Sequence, residues 1–133
     1  MSKSAPARFL IVEDHLEFAE ATAEFLRRLG MDVCIADCSK DGLQVGPVFR
    51  PDVILCDLRL PDMSGVDAAH AFRADLQTRG SLIVVCTAMS EREVRKMQSE
   101  HTSGEVDLFL AKPITKEKVQ RLIALLPKIP NAG

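Results

Sequence analysis

Five short apolar runs punctuate the chain: Arg8–Val12, Asp32–Ala36, Val53–Cys56, Leu82–Cys86 and Val106–Leu110. Each is rich in Val, Ile, Leu or Phe without regular alternation, which predicts strands covered on both faces. Amphipathic stretches of helical period lie between them. His15–Leu29 carries Phe18, Thr22, Phe25, Leu26 and Leu29 on one stripe, and Gly30 stops it. Ser39–Phe49 predicts a weaker helix, interrupted at Gly42 and at Gly46-Pro47. Ser64–Arg79 sets Val66, Ala69, Phe72 and Leu76 on one face ahead of Gly80. Ser90 and Glu93 form a capping-box pattern opening Glu91–Glu100. Thr115 caps a last helix bearing Val119, Leu122, Ile123 and Leu126, which Pro127 ends.

Strands alternating with helices are βα units. The fold class is therefore α/β, a doubly wound five-stranded parallel sheet between two helix layers. Right-handed crossovers leave few topologies. No connector is long or of low complexity, so residues 7–126 read as one domain with short extensions at 1–6 and 127–133. The domain uses nearly all of the sequence, and no output domain is expected in this chain.

Composition narrows the function classes. The 133 residues are 47% apolar and 27% charged, a globular balance. Seventeen basic and nineteen acidic side chains leave a net charge of −2, which argues against direct nucleic-acid binding through a basic stripe. Six Phe, no Tyr and no Trp exclude most aromatic-platform RNA readers. The longest apolar run, Leu82–Cys86, is far short of the ~20 residues of a spanning helix. Glu13-Asp14 cuts off Phe9–Val12 before it reaches the length of a signal-peptide core. A cytoplasmic protein with no membrane insertion is expected. Cys34, Cys38, Cys56 and Cys86 show no C-x-x-C pair and no companion histidine spacing. They read as buried, inert thiols in a reducing compartment, not as zinc ligands.

The candidate chemistry gathers where the strands end. In an open parallel sheet, ligands bind at the carboxyl ends of the strands. Glu13 and Asp14 follow the first strand, Asp57 the third, Thr87 the fourth and Lys112-Pro113 the fifth. Carboxylates held together repel one another unless a cation sits among them. A hard divalent ion such as Mg²⁺ takes oxygen ligands and commonly meets one or two carboxylates plus a phosphate. Asp57 would then be a nucleophile forming an aspartyl-phosphate, with Glu13 and Asp14 holding the metal. Lys112 would neutralise a phosphoryl oxygen and the Thr87 hydroxyl would bond another.

The stretches Phe9–His15, Pro51–Gly65, Val84–Ala88 and Asp107–Pro113 together resemble the CheY-like receiver domain of two-component response regulators. The resemblance runs from about Ala7 to Leu126. It implies a flavodoxin-like (β/α)5 sheet in strand order 2-1-3-4-5 and phosphorylation of Asp57 by a histidine kinase or histidine phosphotransfer protein. It implies Mg²⁺, with Mn²⁺ as a substitute, on Glu13, Asp14, Asp57 and the main-chain carbonyl of Arg59. Thr87 would be drawn in on phosphorylation and the Phe109 ring would turn inward behind it. The bond between Lys112 and Pro113 would be cis. A downstream protein would dock on the helix 4–strand 5–helix 5 face, which also serves relatives for dimers, so a homodimer on phosphorylation is one outcome. With no Tyr in the chain, Phe109 has no hydroxyl to donate.

Three local features stand apart from the pattern. His101–Val106 looks lengthened against relatives, which leaves the shape of that docking face open. Arg59 and Met89 flank the site two residues after Asp57 and Thr87, and their bulk is expected to screen attacking water. Asp62 is expected to shape the turn before Gly65 and not to bind the metal. A haloacid-dehalogenase-type phosphatase would need a second Asp where Arg59 stands. A flavodoxin-type electron carrier would need a hydroxyl- and Gly-rich loop where Glu13-Asp14-His15 stands. Neither a G-x-G-x-x-G nor a P-loop occurs. The alternative left open is a receiver-fold binding module that signals without phosphorylation.

Overall fold

The computed structural model describes residues 6–101 and 104–126. The extensions expected at 1–6 and 127–133 lie outside them except for Pro6, as do two residues of the His101–Val106 stretch. In chain order the elements are β1 (Arg8–Val12), α1 (Leu16–Arg28), β2 (Asp32–Ala36), α2 (Ser39–Phe49), β3 (Val53–Asp57), α3 (Gly65–Arg73), β4 (Leu82–Thr87), α4 (Glu91–Glu100), β5 (Leu108–Ala111) and α5 (Lys116–Leu125). The strands pair in parallel in the order β2-β1-β3-β4-β5, as the resemblance implied.

Unbroken apolar strands follow from burial on both faces. Leu10, Val12, Ile54, Cys56, Ile83 and Val85 face a core shared with Phe72 of α3 and Val94 of α4. The alternate residues Phe9, Ile11, Val53, Leu55 and Val84 face a second core with Ala19, Ala23 and Leu26 of α1 and Val119 and Leu122 of α5. Each strand is thus stabilised twice, at roughly 25 cal/mol per Å² of apolar surface removed from water.

Three sequence expectations need correction. First, α2 is not interrupted: it runs through Gly42, Gly46 and Pro47 to Phe49. At Gly42 a Cβ would stand 3.0 Å from Val12 Cγ2, so the missing side chain lets α2 lie close on β1. The helix then ends at Arg50, whose φ is 55° and whose N–H donates to Gly46 O. Second, α3 ends at Arg73 and not at Arg79. The Thr78 hydroxyl donates to Phe72 O, Asp75 Oδ1 accepts from Gln77 N–H, and turns replace the last helical residues. Leu76, expected on the buried face, is 71% exposed. Third, β5 starts at Leu108 and not at Val106: the Asp107 N–H still donates to Ile83 O at 2.9 Å, but the Ile83 N–H goes to the Asp107 carboxylate at 2.8 Å and not to a strand carbonyl.

The caps expected of Thr115 and of Ser90 with Glu93 form, and His15 and Ser64 supply two more. His15 Nδ1 accepts from Phe18 N–H, Ser64 Oγ from Asp67 N–H, and Thr115 Oγ1 from Lys118 N–H. Ser90 and Glu93 complete the capping box of α4. Of the thiols, Cys56 and Cys86 are buried and Cys34 and Cys38 are half-buried, so the expectation of burial holds for the central strands only.

Candidate functional site

Parallel register brings the strand ends into one row. Val12 pairs with Cys56, Asp57 with Cys86, and Thr87 with Ala111. The residues that follow or end these strands, Glu13, Asp57, Thr87 and Lys112, therefore meet along one edge of the sheet. Two backbone bonds continue the row: Glu13 N–H to Ala36 O at 2.9 Å, and Lys112 N–H to Thr87 O at 2.8 Å.

Carboxylate oxygens of Glu13, Asp14 and Asp57 all lie within 4.8 Å of one another. Glu13 is buried, Asp57 half-buried and Asp14 exposed, so the cleft opens to solvent on the Asp14 side. The Lys112 ammonium lies 2.8 Å from Glu13 Oε1 and 3.4 Å from Asp57 Oδ1. It also stands 4.5 Å from the centroid of the Phe18 ring on α1, a cation–π contact. Burial pushes the Glu13 carboxyl above its ordinary value, against the opposing pull of Lys112 and of the His15 N–H. Burial would lower Lys112, but Glu13 and Asp57 outweigh it, and the ammonium is held above its ordinary value. Oxygen donors of this charge suit a hard divalent cation.

The remaining predicted residues divide between the rim of this centre and the core behind it. Thr87 is buried, and its Oγ1 accepts the Met89 N–H at 3.3 Å. Arg59 N–H points back to Asp57 Oδ1 at 3.5 Å, and its backbone pairs with Ser64. Arg59, two residues beyond Asp57, is exposed, and Met89, two beyond Thr87, is half-buried. The peptide bond between Lys112 and Pro113 is cis. Phe109 points inward at 3% exposure, its ring edge-on to His101 with centroids 5.1 Å apart. It belongs to the core on the α2–α3–α4 face and does not line the acidic cleft.

Asp62 does more than shape a turn. Its carboxylate accepts from Ser39 N–H at 3.0 Å and Lys40 N–H at 2.8 Å, capping α2 from the β3–α3 loop. The Ser39 bond is the chief reason its carboxyl is held below the usual value. The sequence marks Phe18 only as a core position and gives Lys118 no role. Nothing local to either residue signals a partner across the fold. A second group, Asp37, Cys38 and Asp41, also brings donor atoms within 4.8 Å of one another, at the start of α2.

The sheet order and the lysine-closed acidic cleft at its carboxyl edge define a doubly wound α/β domain with a site at the strand ends. The chain belongs to the response regulator receiver domain family, whose profile matches residues 9–124. It is 30% identical over 113 residues to the cell cycle transcriptional regulator CtrA of Caulobacter vibrioides, covering 84% of this chain and 46% of that protein. It is 35% identical over 120 residues to the DNA-binding response regulator MtrA of Mycolicibacterium paratuberculosis, covering 90% and 51%. The chain thus spans about half the length of these curated relatives. Among solved structures, the receiver domain of the sensor histidine kinase PA1611 from Pseudomonas aeruginosa is 28% identical, with a TM-score of 0.73 over 90% of this chain and 95% of that one. That domain holds a magnesium ion in its active-site cleft. A CheY-like receiver domain from Methylobacillus flagellatus, 24% identical with a TM-score of 0.75 over 90% and 97%, speaks for the fold alone. Among the described residues no helix is long and apolar enough to cross a membrane.

Proposed function

We propose that residues 7–126 form a phosphorylation-activated switch of a two-component phosphorelay, with Asp57 as phosphoacceptor. The observation that carries this is the placement of Lys112 between Glu13 and Asp57, at 2.8 and 3.4 Å, beside a cluster of three carboxylates. An Asp57 carboxylate oxygen attacks the phosphorus of a phosphohistidine on a kinase or phosphotransfer protein. The P–N bond breaks, its electron pair returns to the imidazole, and the imidazole takes up a proton. Lys112 is charged and within reach of Asp57, so it meets a phosphoryl oxygen once the group arrives. Thr87, next to Lys112 through the backbone bond, donates its hydroxyl to another. Asp57 supplies the bond-forming oxygen, and the domain assists its own phosphotransfer and dephosphorylation without being a dedicated enzyme.

Glu13, Asp14, Asp57 and the Arg59 main-chain carbonyl would hold Mg²⁺, or Mn²⁺ in its place, as the magnesium in the Pseudomonas aeruginosa relative supports. When bound, the ion neutralises charge on the transferring group. Phe109, opposite Val85 and two residues short of the Thr87 end of β4, carries the change toward the α4–β5–α5 face, where a downstream protein or a second copy docks. The expected compartment is the cytoplasm.

Incubation with Mg²⁺ and acetyl phosphate, followed by intact-mass measurement, tests this. A single phosphoryl adduct that Asp57→Asn abolishes is the expected result. No adduct with any donor would favour the phosphorylation-independent binding module.

A further inference from the structure

Lys118, in the first turn of α5, has a long side chain that does not run to solvent: it is 12% exposed. Its ammonium donates to Ala111 O at 2.5 Å, to Pro113 O at 3.2 Å and to Glu91 Oε2 at 2.9 Å. An ammonium has three protons to give, and here each has an acceptor. Two of those acceptors are the carbonyls of Ala111 and Pro113, the residues before and after Lys112. The third belongs to the first residue of α4, four positions beyond Thr87. The Lys112 N–H itself donates to Thr87 O at 2.8 Å, so the same segment is also bonded to the end of β4.

We propose that Lys118 is a positioning residue for the phosphoryl site: by holding the carbonyls of Ala111 and Pro113, the residues on either side of Lys112, and tying them to α4, it aims the Lys112 side chain at Asp57. The proposal rests on the phosphoacceptor role assigned above to Asp57. The direction of a side chain is set by the backbone on either side of its Cα, and a group that must meet a transferring phosphoryl loses rate steeply when misplaced. An ion pair with a carboxylate as exposed as that of Glu91 holds little by itself. The carbonyl bonds are the stronger part of the clamp, because a charged donor meets two acceptors fixed by the strand end. Lys118 also keeps the Glu91 carboxyl below its ordinary value, in keeping with a formed contact.

The test measures phosphorylation rate against acetyl phosphate concentration, by intact mass, in the full chain with Mg²⁺. Lys118→Met should lower the maximal rate by about tenfold, with the half-saturating donor concentration little changed. Lys118→Arg, which keeps a charged multiple donor, should restore the rate to within about threefold. Glu91→Gln removes one arm only and should cost about twofold, which keeps the idea testable if Lys118→Met folds poorly. In a Lys112→Ala background, Lys118→Met should cause no further loss, whereas a general loss of structure would multiply. Wild-type rates in Lys118→Met, equal losses in both backgrounds, or Lys118→Arg as slow as Lys118→Met would each overturn the proposal.

Amide hydrogen exchange supplies an arm that needs no phosphoryl group. Lys118→Met should speed exchange at the Lys112 N–H by about tenfold while β1 and β3 amides keep their rates. Unchanged exchange at Lys112 overturns the clamp. A wild-type protein that takes no adduct overturns the role of Asp57 instead, and the exchange result still decides whether Lys118 sets Lys112.

Discussion

The Lys112 ammonium and the Glu13 carboxylate form a 2.8 Å pair across the head of the sheet, with side chains 18% and 4% exposed. Burial nonetheless leaves the Glu13 carboxyl above its ordinary value. A carboxyl whose folded value exceeds its unfolded value binds more protons when folded, so its contribution to stability falls as pH rises through that window. Glu13→Gln removes this dependence. In EDTA, the melting temperature of the variant relative to wild type should rise from about pH 4 to about pH 7, while Mg²⁺ binding by titration weakens. A variant that loses ground to wild type over the same pH range would contradict the direction given for Glu13.

Arg59 follows Asp57 by two residues and Met89 follows Thr87 by two, one exposed and one half-buried. If their bulk screens the aspartyl-phosphate from water, Arg59→Ala and Met89→Ala should each shorten its lifetime, by about threefold or more. The decay of the phosphoryl adduct after donor removal measures this. Lifetimes equal to wild type in both variants would remove the screening role.

Arg73 ties α3 to the far edge of the sheet. Its Nε donates to Glu105 O, its Nη1 to Arg79 O and Ser81 O, and its Nη2 to Asp107 Oδ2 at 2.7 Å. Replacement by Ala leaves several carbonyls and a carboxylate without this donor and should cost about 2–3 kcal/mol in urea unfolding. Lys, which lacks the planar fork, should recover less than half of the loss. A cost below about 0.5 kcal/mol for Arg73→Ala would show that solvent replaces these bonds freely.

Burial pushes the Cys86 thiol up to about 12 and raises Cys56 further. Little thiolate forms at either position near pH 8, and thiolate is the reactive species. Iodoacetamide should therefore modify Cys34 and Cys38 in the native protein and all four thiols in urea, as read by peptide mass. Native labelling of Cys56 at a rate matching Cys34 would mean that β3 opens on that timescale.

What the sequence made legible was the part with a local signature. Continuous apolar runs gave the strands, and the polar residues at their ends gave Glu13, Asp14, Asp57, Thr87 and Lys112 by position. Ser90 and Glu93 announced α4 three residues apart. Positions decided by a distant partner were read wrongly or missed. Gly42 counted as a helix breaker because its role is visible only against Val12, 3.0 Å from where a Cβ would stand. Leu76 continued the apolar period of α3, but the Thr78 hydroxyl and Asp75 carboxylate ended the helix before it. Asp62 and Lys118 carry no motif, since their partners are fixed by the packing of α2 and α4.

The loop from Leu58 to Gly65 is closed at its neck by the Gly65 N–H bond to Leu58 O at 2.7 Å and by the pairing of Arg59 with Ser64. A Cβ at Gly65 would overlap the Asp57 carbonyl, so the neck cannot be widened by adding a side chain there. Asp62 moors the tip of the same loop to α2. The side of the cleft that carries Asp57 and Arg59 is therefore braced at both neck and tip. On the other side, the turn from Thr87 to Met89 carries a 3.3 Å bond between the Thr87 hydroxyl and the Met89 amide, and the Thr87 carbonyl is bonded to the Lys112 N–H at 2.8 Å.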